Sequence, residues 1–298
     1  MFSRSEYDSP AKLKALLDGR GLSMQKRFGQ NFLVNPAARE RIAEALKISP
    51  GMGVWEIGAG LGALTIALLD RGASVTAFEI DRGFVSLLEA VFEMEQKTGR
   101  FALVAGDALK TWRPALASRG MPERFCGNLP YNIAAVLIGN TIEAGARFER
   151  CVFTVQKEVA ARMSARPGEG DYSSFSVLCQ WAYRVTPLFD LAPGNFWPCP
   201  GVASTVVALE AVPDFPGRVD PARFARLIRA AFASRRKTLK NNLAVLPGLP
   251  GGAGQAEAAL ANAGIDPGRR AETVDAEGFL RLYISTGDGA ASGKTGNW

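Results

Sequence analysis

Four residues, Asn128-Leu129-Pro130-Tyr131, carry the densest chemistry in this chain. They follow Arg124-Phe125-Cys126-Gly127, a run that reads as the end of a buried strand. The Asn oxygen and a nearby backbone carbonyl can accept hydrogen bonds from an exocyclic amine. The Tyr face can stack on the base that carries that amine. Such a pair of contacts holds an adenine taken out of its stack. The same tetrapeptide also suits an ordinary turn, because Asn and Pro are turn residues.

A second constellation lies upstream. Glu56-Ile57-Gly58-Ala59-Gly60-Leu61-Gly62 joins a strand to a helix, and glycines there let the backbone turn tightly and a ligand approach closely. The next strand ends in Glu79, about twenty positions on, where a carboxylate can take both ribose hydroxyls. The third strand ends in Gly106-Asp107-Ala108, which places Asp107 to accept from an adenine amino group. The loop leaves two ligands open. Gly58-x-Gly60-x-x-Ala63 satisfies the dinucleotide fingerprint, and NAD(P) and S-adenosylmethionine share their adenosine half. The dinucleotide needs a pyrophosphate cradle at a helix N-terminus, and a negative Glu56 beside the loop argues against one. A purely structural turn is the third reading.

What the chain lacks narrows the chemistry. It has no histidine, so a Ser-His-Asp triad, a His general base and a His-ligated metal are excluded. Cys126, Cys151, Cys179 and Cys199 form no C-x-x-C pair and read as buried reduced thiols, with no metal implied. The polar, mixed-charge start lacks a secretory h-region, and no apolar run is long enough to span a membrane; the expectation is a cytoplasmic protein. The net charge of +6 fits a nucleic-acid partner without requiring one.

The elements that must position these residues follow from periodicity. Asn35 as N-cap and Pro36 in the first turn start a helix running to about Lys47. Strands are expected at 54–57, 75–80, 101–104, 125–129 and 151–155, with helices at 64–70, 82–96 and 135–144 between them. This alternation implies an α/β fold with a parallel sheet and a ligand site at the carboxyl ends of its strands. Further strands are expected at 183–191, where Pro187 counts against one, and at 205–209. Val212 to Pro221 reads as a linker, and helices at 222–234, 238–245, 255–263 and 276–284 follow. The domain reading is an extension over 1–22, a catalytic domain over 23–212, a small all-helical domain over 213–285 and a disordered tail over 286–298.

Several segments together resemble the ribosomal RNA adenine N6-dimethyltransferase family. They are Phe28-Gly29-Gln30-Asn31-Phe32-Leu33, the glycine loop, Asn128-Leu129-Pro130-Tyr131-Asn132, Gln156-Lys157-Glu158-Val159, Phe196-Trp197-Pro198-Cys199-Pro200, Arg235-Arg236-Lys237-Thr238 and Arg270-Ala271-Glu272. The resemblance spans residues 24 to 284 and favours the bacterial small-subunit branch. It implies a Rossmann-like S-adenosylmethionine-dependent methyltransferase domain with a small helical C-terminal domain. It also implies dimethylation of two adjacent adenosines in the 3′-terminal hairpin of small-subunit (16S) ribosomal RNA, within a partly assembled 30S subunit; a monomer is the expected oligomeric state. The large-subunit branch that confers macrolide resistance, a DNA adenine methyltransferase, an NAD(P) oxidoreductase and a non-enzymatic RNA-binding factor are the alternatives. Carried onto this sequence, donor binding falls on Asn31, Leu33, Gly58, Gly60, Glu79, Asp107 and Asn128. Asn128 and the Leu129 or Pro130 carbonyl take the amine, Tyr131 stacks on one face of the base, and Phe196 covers the other. Gly201 and Ala203 stand where the small-subunit branch commonly has Lys and Asp, and Ser173-Ser174 where it has Gly and a basic residue.

The expected RNA surface is basic. Arg223, Arg226 and Arg229 recur at helical spacing opposite Phe224, Leu227 and Ile228, and Arg235, Arg236, Lys237 and Lys240 follow with no acid between. A solvated face explains one such helix; the whole cluster points to phosphate contact. Lys26 and Arg27 are expected near the mouth of the site.

Overall fold

A computed structural model describes residues 7–25, 29–245 and 252–286 of the 298-residue chain. Helix α1 (Pro10–Asp18) comes first, with Lys12 N–H donating to the Ser9 hydroxyl at 3.2 Å. Within the extension expected over 1–22, residues 10–18 thus form a capped helix. After β1 (Phe32–Leu33), helix α2 (Pro36–Ala45) begins as its sequence dictates, with Ala38 N–H donating to the Asn35 side chain at 3.1 Å. Strands and helices then alternate: β2 (Gly53–Ile57), α3 (Ala63–Asp70), β3 (Ser74–Glu79), α4 (Arg82–Val91), α5 (Glu93–Lys97), β4 (Phe101–Ala105), α6 (Ala108–Arg119), β5 (Arg124–Asn128), α7 (Ala134–Glu143) and β6 (Arg150–Gln156). Next come α8 (Lys157–Ser164), α9 (Ser174–Ala182), β7 (Tyr183–Leu191), β8 (Phe196–Trp197) and β9 (Ser204–Ala211). Helices α10 (Pro221–Ala231), α11 (Leu239–Leu243), α12 (Gly252–Asn262) and α13 (Ala276–Ser285) complete the described chain.

Seven strands form one sheet in the order β4-β3-β2-β5-β6-β9-β7. β2 pairs in parallel with β3 and β5, β3 with β4, and β5 with β6. β2, β5 and β6 are buried almost end to end, as the middle of a sheet covered on both faces requires, while β4 at the edge is mostly half-buried. The expectation of a parallel sheet is corrected at its far side, where β9 runs antiparallel to β6. β9 follows its other neighbour, β7, through residues 192–203, which hold only a 3-10 turn and β8 and no helical crossover of the kind a parallel pair needs. β7 lies at the edge, where the missing N–H of Pro187 is tolerated. Helix α6 has no counterpart among the expected elements; it carries Pro114 inside it, and burial of Trp112 and Ala115 outweighs the missing backbone hydrogen bond. β1 and β8 pair separately, Phe32 opposite Trp197 and Leu33 opposite Phe196.

The chain divides into two compact units. One takes in residues up to Leu137, Phe148–Ala160 and Thr186–Glu210; the other takes Ile138–Arg147, Ala161–Val185 and the chain from Ala211. The cut expected near residue 213 is thus one of several places where the chain passes between units. In the second unit the Phe224 ring packs 4.4 Å from Trp181 and 5.7 Å from Tyr283. The Tyr172 hydroxyl donates to the Val274 carbonyl at 2.8 Å. Pro221 ends no linker: Asp220 caps α10 and Pro221 occupies its first turn. Ser173, one of the departures from the family pattern, serves locally as the N-cap of α9, its N–H donating to the Ser176 hydroxyl at 3.0 Å. Among the described residues no helix is long and apolar enough to cross a membrane.

Candidate active site

At the carboxyl ends of β2, β3, β4 and β5 a cavity of about 340 Å³ opens in the first unit. Asn31, Leu33, Gly58, Gly60, Glu79, Asp107 and Asn128 all line it, and so do Leu129, Pro130 and Tyr131. Residues up to a hundred positions apart in sequence therefore share one cavity, as the strand order requires.

The glycine loop is held under backbone constraint. Gly58, Gly60 and Gly62 have φ of 71°, 58° and 88°, a left-handed region that costs other residues energy. A Cβ at Gly62 would also stand 2.7 Å from the Phe92 ring. Glu79 fixes the loop from the end of β3. One of its carboxylate oxygens accepts from Gly60 N–H at 2.7 Å, and the other accepts from Ile80 and Asp81 N–H, both at 2.9 Å. Burial raises the Glu79 pKa above the usual carboxylate value, and these three bonds work against that rise. Asp107 is both a wall of the cavity and the N-cap of α6, with Leu109 N–H donating to Oδ1 at 2.9 Å. Ile80, 40% exposed and also lining the cavity, adds an apolar cover that no sequence pattern announced.

Asn128 ends β5 on the opposite side. Its Nδ2 donates to the Asn31 carbonyl at 2.6 Å, so Oδ1 is the atom presented to a ligand. The Tyr131 hydroxyl is bonded to the Ser204 hydroxyl at 2.8 Å, which holds the ring by its far end. Phe196 is placed differently from expectation. Its ring is 3% exposed, packed in the core with Leu33 and Leu191, and does not line the cavity. Apolar burial takes this ring, and its backbone pairing with Leu33 turns it inward. Trp197, the next residue, stacks on Phe32 with centroids 6.4 Å apart.

Glu56 corrects a second expectation. It is 2% exposed, and Thr65 Oγ1 donates to its Oε2 at 2.6 Å. Burial pushes its pKa up to about 8, so the group is mostly neutral at pH 7. A negative charge at Glu56 therefore does not discriminate against a pyrophosphate. Cys199 is exposed, while Cys126, Cys151 and Cys179 are buried as expected.

The basic cluster belongs to the second unit and is partly neutralised there. Arg223 pairs with Asp220 at 3.6 Å, Arg235 with Glu272 at 3.3 Å, Lys240 with Glu257 at 2.8 Å, and Arg229 with Glu143. Among the described residues Arg226, Arg236 and Lys237 are exposed with no such acid. Lys26 and Arg27 lie outside the described residues. At Gly201 a Cβ would meet nothing within 4 Å, so the backbone leaves room for the side chain common in the family.

A Rossmann-like sheet, a glycine turn after β2 and an acid at the end of β3 define an α/β protein with an adenosine-cofactor site, an arrangement that methyltransferases share with dinucleotide enzymes. Comparison with known proteins gives the family. Residues 21–287 match the ribosomal RNA adenine dimethylase profile. A Treponema denticola protein named ribosomal RNA small subunit methyltransferase A is 44% identical over 280 residues, 94% of this chain and 95% of its own length. A Pseudomonas aeruginosa protein of the same name is 40% identical over 87% of this chain and 92% of its own. Among solved structures, a dimethyladenosine transferase from Plasmodium falciparum superposes with a TM-score of 0.73 at 25% identity, covering 86% of this chain and 97% of that one. The 23S rRNA methyltransferase ErmE gives 0.62 at 25% identity, covering 86% of this chain and all of that one. This chain belongs to the ribosomal RNA adenine dimethylase family.

Proposed function

We infer that this enzyme transfers methyl groups from S-adenosylmethionine to N6 of two adjacent adenosines in the 3′-terminal hairpin of small-subunit ribosomal RNA. It acts in the cytoplasm, as a monomer, on a partly assembled 30S subunit. The observation that carries the reading is the Asn128 amide, pinned by the Asn31 carbonyl so that Oδ1 faces the same cavity as Glu79 and Asp107. The small-subunit branch is favoured by relatives 40% to 44% identical over most of the chain, against 25% for the large-subunit methyltransferase.

The residues fit a methyl donor of this kind. Glu79 and Asp107 each keep acceptor positions beyond their backbone bonds, for a ribose and an adenine amine. Gly58 and Gly60 let the methionine portion approach the backbone, and Asn31 and Leu33 close the site. When bound, the donor supplies an electrophilic methyl on a sulfonium. The adenine nitrogen is a poor nucleophile because its lone pair is delocalised into the ring. Asn128 Oδ1 and the Leu129 or Pro130 carbonyl accept the two N6 hydrogens, which favours a pyramidal nitrogen and aims the lone pair. Tyr131, fixed through Ser204, stacks on the base and contributes about 1–3 kcal/mol. Once methylated, the adenine nitrogen would be cationic and strongly acidic, and its proton would pass to solvent, since the chain has no histidine base. The exposed cations of the second unit, Arg226, Arg236 and Lys237, hold RNA phosphates.

Methyl transfer from labelled S-adenosylmethionine, with mass spectrometry of the RNA, tests this. The expected product is dimethyladenosine at two adjacent positions in the 3′ fragment of undermethylated 30S particles. Label in large-subunit RNA or duplex DNA instead would overturn the substrate assignment.

A further inference from the structure

The donor loop is gripped from two sides, and only one grip comes from the matched family span. Glu79 holds the Gly60 N–H. On the other side the Tyr7 hydroxyl donates to the Leu61 carbonyl at 3.0 Å, across 54 positions of sequence. Tyr7 is 2% exposed, and both Tyr7 and Leu13 line the cavity. Leu13 and Leu17 of α1 pack with Leu61, Phe84 and Val34 in a cluster distinct from the main core. Buried Arg39 ties the segment down: it donates to the Tyr7 carbonyl at 3.4 Å and to the Leu33 carbonyl at 2.9 Å, and pairs with Asp8. The family profile begins at residue 21, so Tyr7, Asp8 and α1 all precede it.

We propose that residues 7–18 form a strap over the donor site, with Tyr7 as a positioning residue that holds the Gly58–Gly62 loop in its donor-binding shape. The proposal rests on the reading of this cavity as the S-adenosylmethionine site. Its physical basis is the loop's three left-handed glycines. A segment this permissive loses much conformational freedom on ordering, so contacts that order it beforehand favour donor binding. The carbonyl bond from Tyr7 and the amide bond from Glu79 fall on successive residues, Leu61 and Gly60, and together they fix that stretch of backbone. By linkage the effect is reciprocal: donor binding stabilises the strap.

Tyr7→Phe keeps the packed ring and removes the hydroxyl that bonds the Leu61 carbonyl. Isothermal calorimetry with S-adenosylhomocysteine is expected to show a Kd about three- to tenfold higher, as for loss of one hydrogen bond. Hydrogen exchange at the Leu61 and Gly62 amides is expected to quicken. Asp8 lines neither loop nor cavity, and Asp8→Ala is expected to weaken donor binding in the same direction by removing one of the two contacts that tie Arg39 to the strap. In the unmodified enzyme, S-adenosylhomocysteine is expected to slow exchange across Pro10–Asp18. Affinity unchanged in both variants, with normal binding by the unmodified enzyme, overturns the strap alone. A lower melting temperature with unchanged affinity reduces α1 to scaffold and also overturns it. Failure of the unmodified enzyme to bind S-adenosylhomocysteine overturns the donor reading on which it rests.

Discussion

Replacing Glu79 with alanine separates ligand contact from loop anchoring. Its two oxygens already accept from Gly60, Ile80 and Asp81 N–H at 2.7, 2.9 and 2.9 Å. A carboxylate offers about four acceptor positions, so roughly one remains for the ribose. Losing that charge-assisted bond lowers donor affinity by about 1.5–3 kcal/mol, roughly 10- to 150-fold in Kd. The other loss falls on folding. Ile80 is 40% exposed, so its N–H turns to water, but Asp81 is 4% exposed and its N–H is left without an acceptor. Gly60, half-buried, is intermediate. At about 1–3 kcal/mol for each unsatisfied buried group, stability falls by about 2–4 kcal/mol. Melting should drop by on the order of 5–10 °C. Calorimetric titration with S-adenosylhomocysteine and a thermal scan read the two effects separately. A Kd within twofold of the unmodified enzyme would refute the ribose role, and an unchanged melting temperature would refute the anchoring.

Three further outcomes follow from particular contacts. Glu56 has a folded pKa of about 8 against an ordinary 4.5. Between those values the unfolded chain has released this proton and the folded chain retains it, so stability falls as pH rises across the window, by on the order of 1–4 kcal/mol. Glu56→Gln should match the unmodified enzyme near pH 5 and melt higher near pH 8.5; parallel melting curves would contradict the assignment. Phe196→Ala should lose about 3–5 kcal/mol of stability as a buried ring, and a variant with normal melting and collapsed turnover would return Phe196 to the base. Replacing Arg226, Arg236 and Lys237 together by alanine should reduce the salt slope of RNA binding by about 2–3. An equal loss from Arg223, Arg229 and Lys240 would show that their ion pairs open on RNA.

Much of the site was legible because chemistry and topology coincide there. Glu79 and Asn128 end β3 and β5, Asp107 follows the end of β4 by two residues, and parallel strands of one sheet bring these ends to the same side whatever the intervening sequence. Contacts between distant segments left no such mark. Tyr7 reaches Leu61 from a polar, mixed-charge stretch, and Arg229 meets Glu143 across 86 positions. The basic cluster therefore read as more highly charged than it is. Pro114 hid α6 because local propensity opposes a helix that packing of Trp112 stabilises. Phe196 shows the converse: a motif identifies a residue type, and the fold decides which way its ring points, here into the core.

Asn128→Ala tests the amine-holding role most directly. Single-turnover methyl transfer to undermethylated 30S particles should fall by about 10²–10³-fold or more, as for removal of one preorganised polar contact at a reacting centre. Donor affinity should stay within several-fold, because Asn128 contributes one wall of a cavity whose other contacts remain. Near-normal transfer by this variant would contradict the assignment of Asn128 as the residue that positions the adenine amine.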